Sequence, residues 1–149
     1  MFESLKNFFT PGRTYSLHAE VLQESSESNE YFFYGLVGDD ITASKVIESL
    51  KGSSGDLDIH LFSLGGDLFE AAAIYGILNQ YPGEVTIYIE GLAASAGAYV
   101  AVAADELVME ENAMLMVHNA WKIASGNHNE LREQADLVEK QQEAMVKAF

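Results

Sequence analysis

Glu90-Gly91-Leu92-Ala93-Ala94-Ser95-Ala96-Gly97 is the stretch on which the fold turns. The residues before it, 85–89, are β-branched and aromatic and read as a strand running into Gly91. The residues after it, from about 95 to 103, read as a helix. The apolar run 91–104 is mostly Ala and Gly and shorter than the roughly 20 residues of a spanning helix, so close helix packing explains it better than a membrane does.

Working outward, the same unit recurs. Residues 59–63 form a strand, Gly65-Gly66 a turn, and about 68–80 a helix stopped by Pro82-Gly83. Upstream, the continuous aromatic run 31–37 is a strand broken by Gly38-Asp39-Asp40. Residues 41–50 then place Val46, Ile47 and Leu50 on one helical stripe, and 51–56 turn back. Residues 14–22 partly alternate as a half-buried strand and lead into the polar connection 23–30. Downstream, 106–109 and 113–118 are short strands. The segment 129–149 carries Leu131, Ala135, Val138, Met145 and Phe149 on roughly one face, with Asn127 and Glu130 spaced as a capping box. Strands alternating with helices at these spacings predict an α/β domain with right-handed crossovers. One domain is expected over 1–149, with about 1–30 as N-terminal strand and linker.

The bulk properties fit one core and narrow the partners. The chain has 149 residues, 48% of them hydrophobic, and a formal net charge of −15. That charge argues against phosphate backbones and anionic membranes. Without cysteine there are no disulfides or thiolate metal sites, and the cytoplasm is the default compartment. Residues 1–6 do not read as a secretory signal.

Chemistry is expected where glycine-rich strand ends open helices, at Ser63-Leu64-Gly65-Gly66-Asp67 and at the Ser95 stretch. Unpaired backbone N–H groups there favour negative charge, so both turns are candidate oxyanion sites. Ser95, flanked by small residues, offers an exposed hydroxyl. On spacing alone its plainer reading is a helix N-cap or a small residue allowing close packing. The segment is not the G-x-S-x-G elbow either, because Ala93 stands at the first glycine. His118, ending the apolar run 114–117, supplies a candidate general base, although such a histidine taken alone is more often structural. His60 lies within a strand, His18 in the N-terminal strand and His128 in a polar loop. No pair has metal-ligand spacing, so neither a metal nor another cofactor is expected. Gly52-Ser53-Ser54-Gly55 lacks the spacing of a P-loop.

From about residue 34 onward the order Gly38-Asp39-Asp40-Ile41, Ser63-Leu64-Gly65-Gly66-Asp67, Gly91 to Ala98 and Met116-Val117-His118-Asn119 resembles ClpP-type serine peptidases, within the ClpP/crotonase fold. The motifs look specifically like the phage and prophage branch associated with head maturation. The resemblance implies Ser95 as nucleophile, His118 as base, and the backbone N–H groups of Gly66 and Ala96 as oxyanion hole. It implies stacked ββα units, a handle segment at about 119–149 pairing subunits of a homo-oligomer, and protein or peptide substrates. The host cytoplasm or a phage procapsid would be the location. Nucleic acid and membrane are not expected as partners.

Three departures stand against the family pattern. Leu64 replaces the usual proline before the paired glycines, and Ala120 follows Asn119 where proline is common. The acidic third member of the triad lies beyond the handle helix in the family, so the chain is expected to be a truncated form. Asp105 and Asp136 match no family position. The alternatives are a catalytically silent oligomeric assembly module and a crotonase-like acyl-CoA enzyme. A membrane-associated Ser/Lys peptidase fits less well, because Lys122 is offset from the place a lysine base would take.

Overall fold

The computed structural model describes residues 21–23 and 29–149. The expected strand at 14–22 and the His18 within it lie largely or wholly outside the described residues, as does most of the connection 23–30. In chain order the elements are β1 (Val21–Gln23), β2 (Glu30–Val37), α1 (Ala43–Ser49), β3 (Leu57–Gly66), α2 (Leu68–Leu78), β4 (Val85–Ala94), α3 (Ala96–Ala101), β5 (Glu106–Met109), β6 (Met114–Met116) and α4 (His128–Val146). The fold is the expected mixed α/β architecture with a parallel sheet and a C-terminal helix.

The sheet runs β1-β2-β3-β4-β5, with β1 antiparallel to β2 and the remaining pairs parallel. Alternation decides which side is covered. Tyr31 and Phe33 of β2, Leu57, Ile59 and Leu61 of β3, and Val85, Ile87 and Ile89 of β4 are buried, in one core with Val46 of α1 and Ala71, Ile74 and Leu78 of α2. Each large apolar side chain so buried contributes about 1.5–3 kcal/mol. Residues of the opposite parity, including Phe32, Tyr34, His60 and Tyr88, are only partly covered.

The strand ends differ from the sequence expectation. Gly65 and Gly91 do not end their strands, because the ladder continues through irregularities that glycine tolerates at positive φ, 98° and 81° respectively, and Gly66, at φ 142°, is the last residue of its strand. β3 therefore extends to Gly66 and β4 to Ala94. All four helices are shorter than expected, and in α1 only Val46 is buried whereas Ile47 is 51% exposed. His128 is the first residue of α4, not part of a loop, because the Asn127 side chain and Glu130 close the capping box one residue earlier.

The bend at Glu90-Gly91 is what builds the site. Residues Thr86 to Ile89 of β4 pair with β5, whereas Leu92, Ala93 and Ala94 pair with β6. The strand that delivers Ser95 is thereby laid beside the strand that delivers His118. Among the described residues no helix is long and apolar enough to cross a membrane.

Candidate active site

Ser95 sits between β4 and α3 with φ 54° and ψ −119°, and it is the only non-glycine among the described residues at positive φ. Its backbone N–H donates to the carbonyl of Met116 at 2.8 Å, which ties the serine to the end of β6. Its side chain makes no capping bond to the helix. The plain N-cap reading therefore does not describe it. The backbone is instead turned sharply from strand to helix, the geometry in which a serine hydroxyl projects from the chain.

His118 lies two residues beyond β6, so it follows the strand end at Met116 rather than closing the strand itself. Its Nδ1 is 2.7 Å from the Asn119 carbonyl oxygen. A carbonyl only accepts, so Nδ1 carries the proton and Nε2 holds the lone pair of the neutral ring. Ser95 and His118 line one cavity of about 380 Å³, walled on its apolar side by Val117, Met145, Val146 and Phe149. Gln142 of α4 accepts a hydrogen bond from the Ala120 N–H at 3.1 Å, fastening the helix to the loop that holds His118.

The glycine pair at the end of β3 lies against Ser95. A Cβ on Gly65 would lie 2.7 Å from Ser95 Cβ and 2.8 Å from the Ala94 carbonyl oxygen, so this turn rests against the serine. Gly66 is next in the chain, and Ala96 opens α3, where no carbonyl of the helix accepts its N–H. Ser95, His118, Gly66 and Ala96 are thus brought to one end of the sheet from three chain segments. Asp105 is occupied elsewhere, accepting from the Val85 N–H at 2.8 Å, and Asp136 is exposed on α4. Among the described residues no carboxylate is bonded to His118.

Sequence reading passed over three contributors. The Asn119 carbonyl is a backbone atom, which no residue pattern reveals. The apolar wall from Val146 has no signature apart from its helical period. Ser63 was visible only as part of a motif.

A second polar cluster lies on the less covered face of the sheet. His60 Nδ1 meets Glu90 Oε1 at 2.6 Å and His60 Nε2 meets Glu30 Oε1 at 2.9 Å, while the ring stacks between Phe32 and Tyr88. The Tyr34 hydroxyl donates to the other oxygen of Glu90. Burial pushes the Glu90 carboxyl up, but the hydrogen bonds from Tyr34 and His60 and the charge of His60 outweigh it and hold the group below the usual carboxylate value. Burial, and then the bond to Glu90, push the Tyr34 phenol up to about 12.

A serine on a strand-to-helix turn at positive φ and a histidine thus line one cavity of a mixed α/β domain. The family model for Clp protease matches residues 18–149, and the chain belongs to that family. It is 29% identical over 106 residues to the chloroplastic ATP-dependent Clp protease proteolytic subunit 3 of Arabidopsis thaliana, covering 66% of this chain and 34% of that protein. It is 28% identical over 75 residues to an uncharacterized protein of Methanocaldococcus jannaschii, covering 49% of this chain and 26% of the relative. The matched stretches thus span about a third or less of these relatives.

Proposed function

We propose that the protein is a ClpP-type serine endopeptidase in which Ser95 is the nucleophile and His118 the general base. The observation that carries this reading is the positive-φ backbone of Ser95, in the lining of a cavity shared with His118. Strain at a non-glycine residue costs on the order of 1–3 kcal/mol and persists where the surrounding structure enforces it. Here the enforcing contacts are the Gly65 turn and the Met116 carbonyl.

In the proposed reaction Ser95 Oγ adds to the carbonyl carbon of the scissile peptide while His118 Nε2 takes its proton. The oxyanion is met by the N–H groups of Gly66 and Ala96. His118 returns the proton to the leaving amine, and water, deprotonated by the same nitrogen, then releases the acyl group from Ser95. The Asn119 carbonyl keeps Nδ1 protonated throughout, though as a neutral dipole it stabilises the imidazolium less than a carboxylate does. The apolar wall of the cavity favours substrates with an apolar side chain beside the scissile bond.

The likeness to the phage head-maturation branch supports scaffold or capsid proteins as substrates, cleaved without ATP. Residues 1–149 act as one domain in this reading, with 119–149 as the handle. The first test is labelling by a fluorophosphonate. Wild type is expected to label and Ser95→Ala is not. His118→Ala is expected to lose turnover while keeping its melting temperature. Labelling that survives Ser95→Ala overturns the assignment, and a folded wild type that never labels points to a silent assembly module.

A further inference from the structure

We infer that Ser63 is a positioning residue for this reaction, its buried hydroxyl setting the Gly65-Gly66 turn against Ser95. The inference rests on the proposed roles of Ser95 and Gly66. Ser63 is fully buried, at 0% exposure. Its Oγ–H donates to the Gly35 carbonyl at 2.7 Å, and its oxygen accepts the Gly65 N–H at 3.2 Å. Gly35 lies where the β2–β3 register shifts, with φ 119°. One hydroxyl therefore ties that irregularity to the Leu64–Gly65 peptide, one peptide before the Gly66 N–H.

The same residue also meets the segment that follows Ser95. A Cβ on Gly97 would fall 2.7 Å from Ser63 Cβ and 2.9 Å from its Oγ, so α3 is seated on this side chain. Ser63 thus touches both segments that carry the proposed oxyanion donors and reaches neither the cavity nor the reacting atoms. A hydroxyl has one proton to give and lone pairs to receive with, which matches one carbonyl and one N–H. Alanine serves neither partner and frees the Gly65 peptide to rotate, which moves the Gly66 N–H. Substrate binding along the apolar wall is untouched.

The test is turnover of an activated p-nitrophenyl ester by the full-length protein and its Ser63→Ala, Ser63→Thr and Ser95→Ala variants, with a thermal melt of each. Removal of a whole oxyanion donor lowers kcat by about 10²–10³, and displacing one is expected to lower it by roughly tenfold. Ser63→Ala should show that loss in kcat with KM within about twofold of wild type. Ser63→Thr, which keeps the hydroxyl, should regain most of the rate. Unchanged kcat in Ser63→Ala overturns the inference, and so does a loss confined to KM or matched by its unfolded fraction. If the threonine variant does not fold, the split between kcat and KM in Ser63→Ala decides alone. Turnover by Ser95→Ala removes the nucleophile reading and the inference with it. An inactive Ser95→Ala beside a fully active Ser63→Ala removes the inference only.

Discussion

Ser95 holds φ 54° and ψ −119°, a region that L-residues with a Cβ avoid. Replacing it by glycine or alanine removes the hydroxyl in both cases, so the difference between the two variants isolates the backbone. Strain of about 1–3 kcal/mol, set against a glycine entropy cost of roughly 0.5–1 kcal/mol, leaves Ser95→Gly more stable than Ser95→Ala by on the order of 1 kcal/mol. Urea unfolding of the pair measures this, and an alanine variant as stable as the glycine variant would show that the turn is unstrained. The strain was not legible in the sequence. Ala93 spoils the glycine pattern of a serine elbow, yet the turn forms because the room comes from Gly65, thirty residues upstream, rather than from a local glycine. Ser63 was hidden for a similar reason. Its partner Gly35 is brought to it by the pairing of β2 with β3, and no pattern within either strand announces that register.

Among the elements, β2, β3 and β4 were readable because their β-branched and aromatic runs alternate between a buried and a less covered face. Their ends were not, since Gly65 and Gly91 lie inside strands and looked like stops. His60 could be placed in a strand, but not between Glu30 and Glu90, because those contacts depend on the pairing of three strands. This clamp predicts a pH dependence. Glu90 is depressed in the folded state, so the stability it contributes is present above the unfolded carboxylate value of about 4.3. That contribution falls away as the pH drops through the lower folded value. Glu90→Gln should therefore melt below wild type at pH 7, and the gap should shrink as the pH is taken below about 4. The carboxylate is partly exposed, so the gap at pH 7 is small. A gap that stays constant down to pH 3 would show that Glu90 acts through packing and not through charge.

At the scale of the whole molecule, α4 raises the question of assembly, because it forms a 19-residue helix of which no residue is buried. Leu131, Leu137 and, just beyond the helix, Phe149 remain exposed, and Ile123 in the preceding loop is 88% exposed. The capping box secures one end and the partly buried Met145 packs against the core at the other, but helical stability comes chiefly from packing an apolar face, and Leu131 and Leu137 are left without cover. A second copy supplies such a face, since closed symmetric assembly pairs like surfaces. We therefore expect a homo-oligomer formed through α4 and the loop before it. Opposing this contact is the formal charge of −15 on every copy, which repels at long range. Salt screens that repulsion over about 10 Å at 0.1 M and leaves apolar burial intact. Sedimentation at micromolar concentration should thus show a larger assembled fraction at 0.3 M salt than at 0.02 M, whereas an interface held by ion pairs would show the reverse. Leu131→Lys with Leu137→Lys should shift the population to monomer at both salt concentrations. Both side chains are exposed within one subunit, so the double variant should melt with little change. A monomeric wild type at every salt concentration, or a double variant that assembles as wild type does, would rule out α4 as the contact.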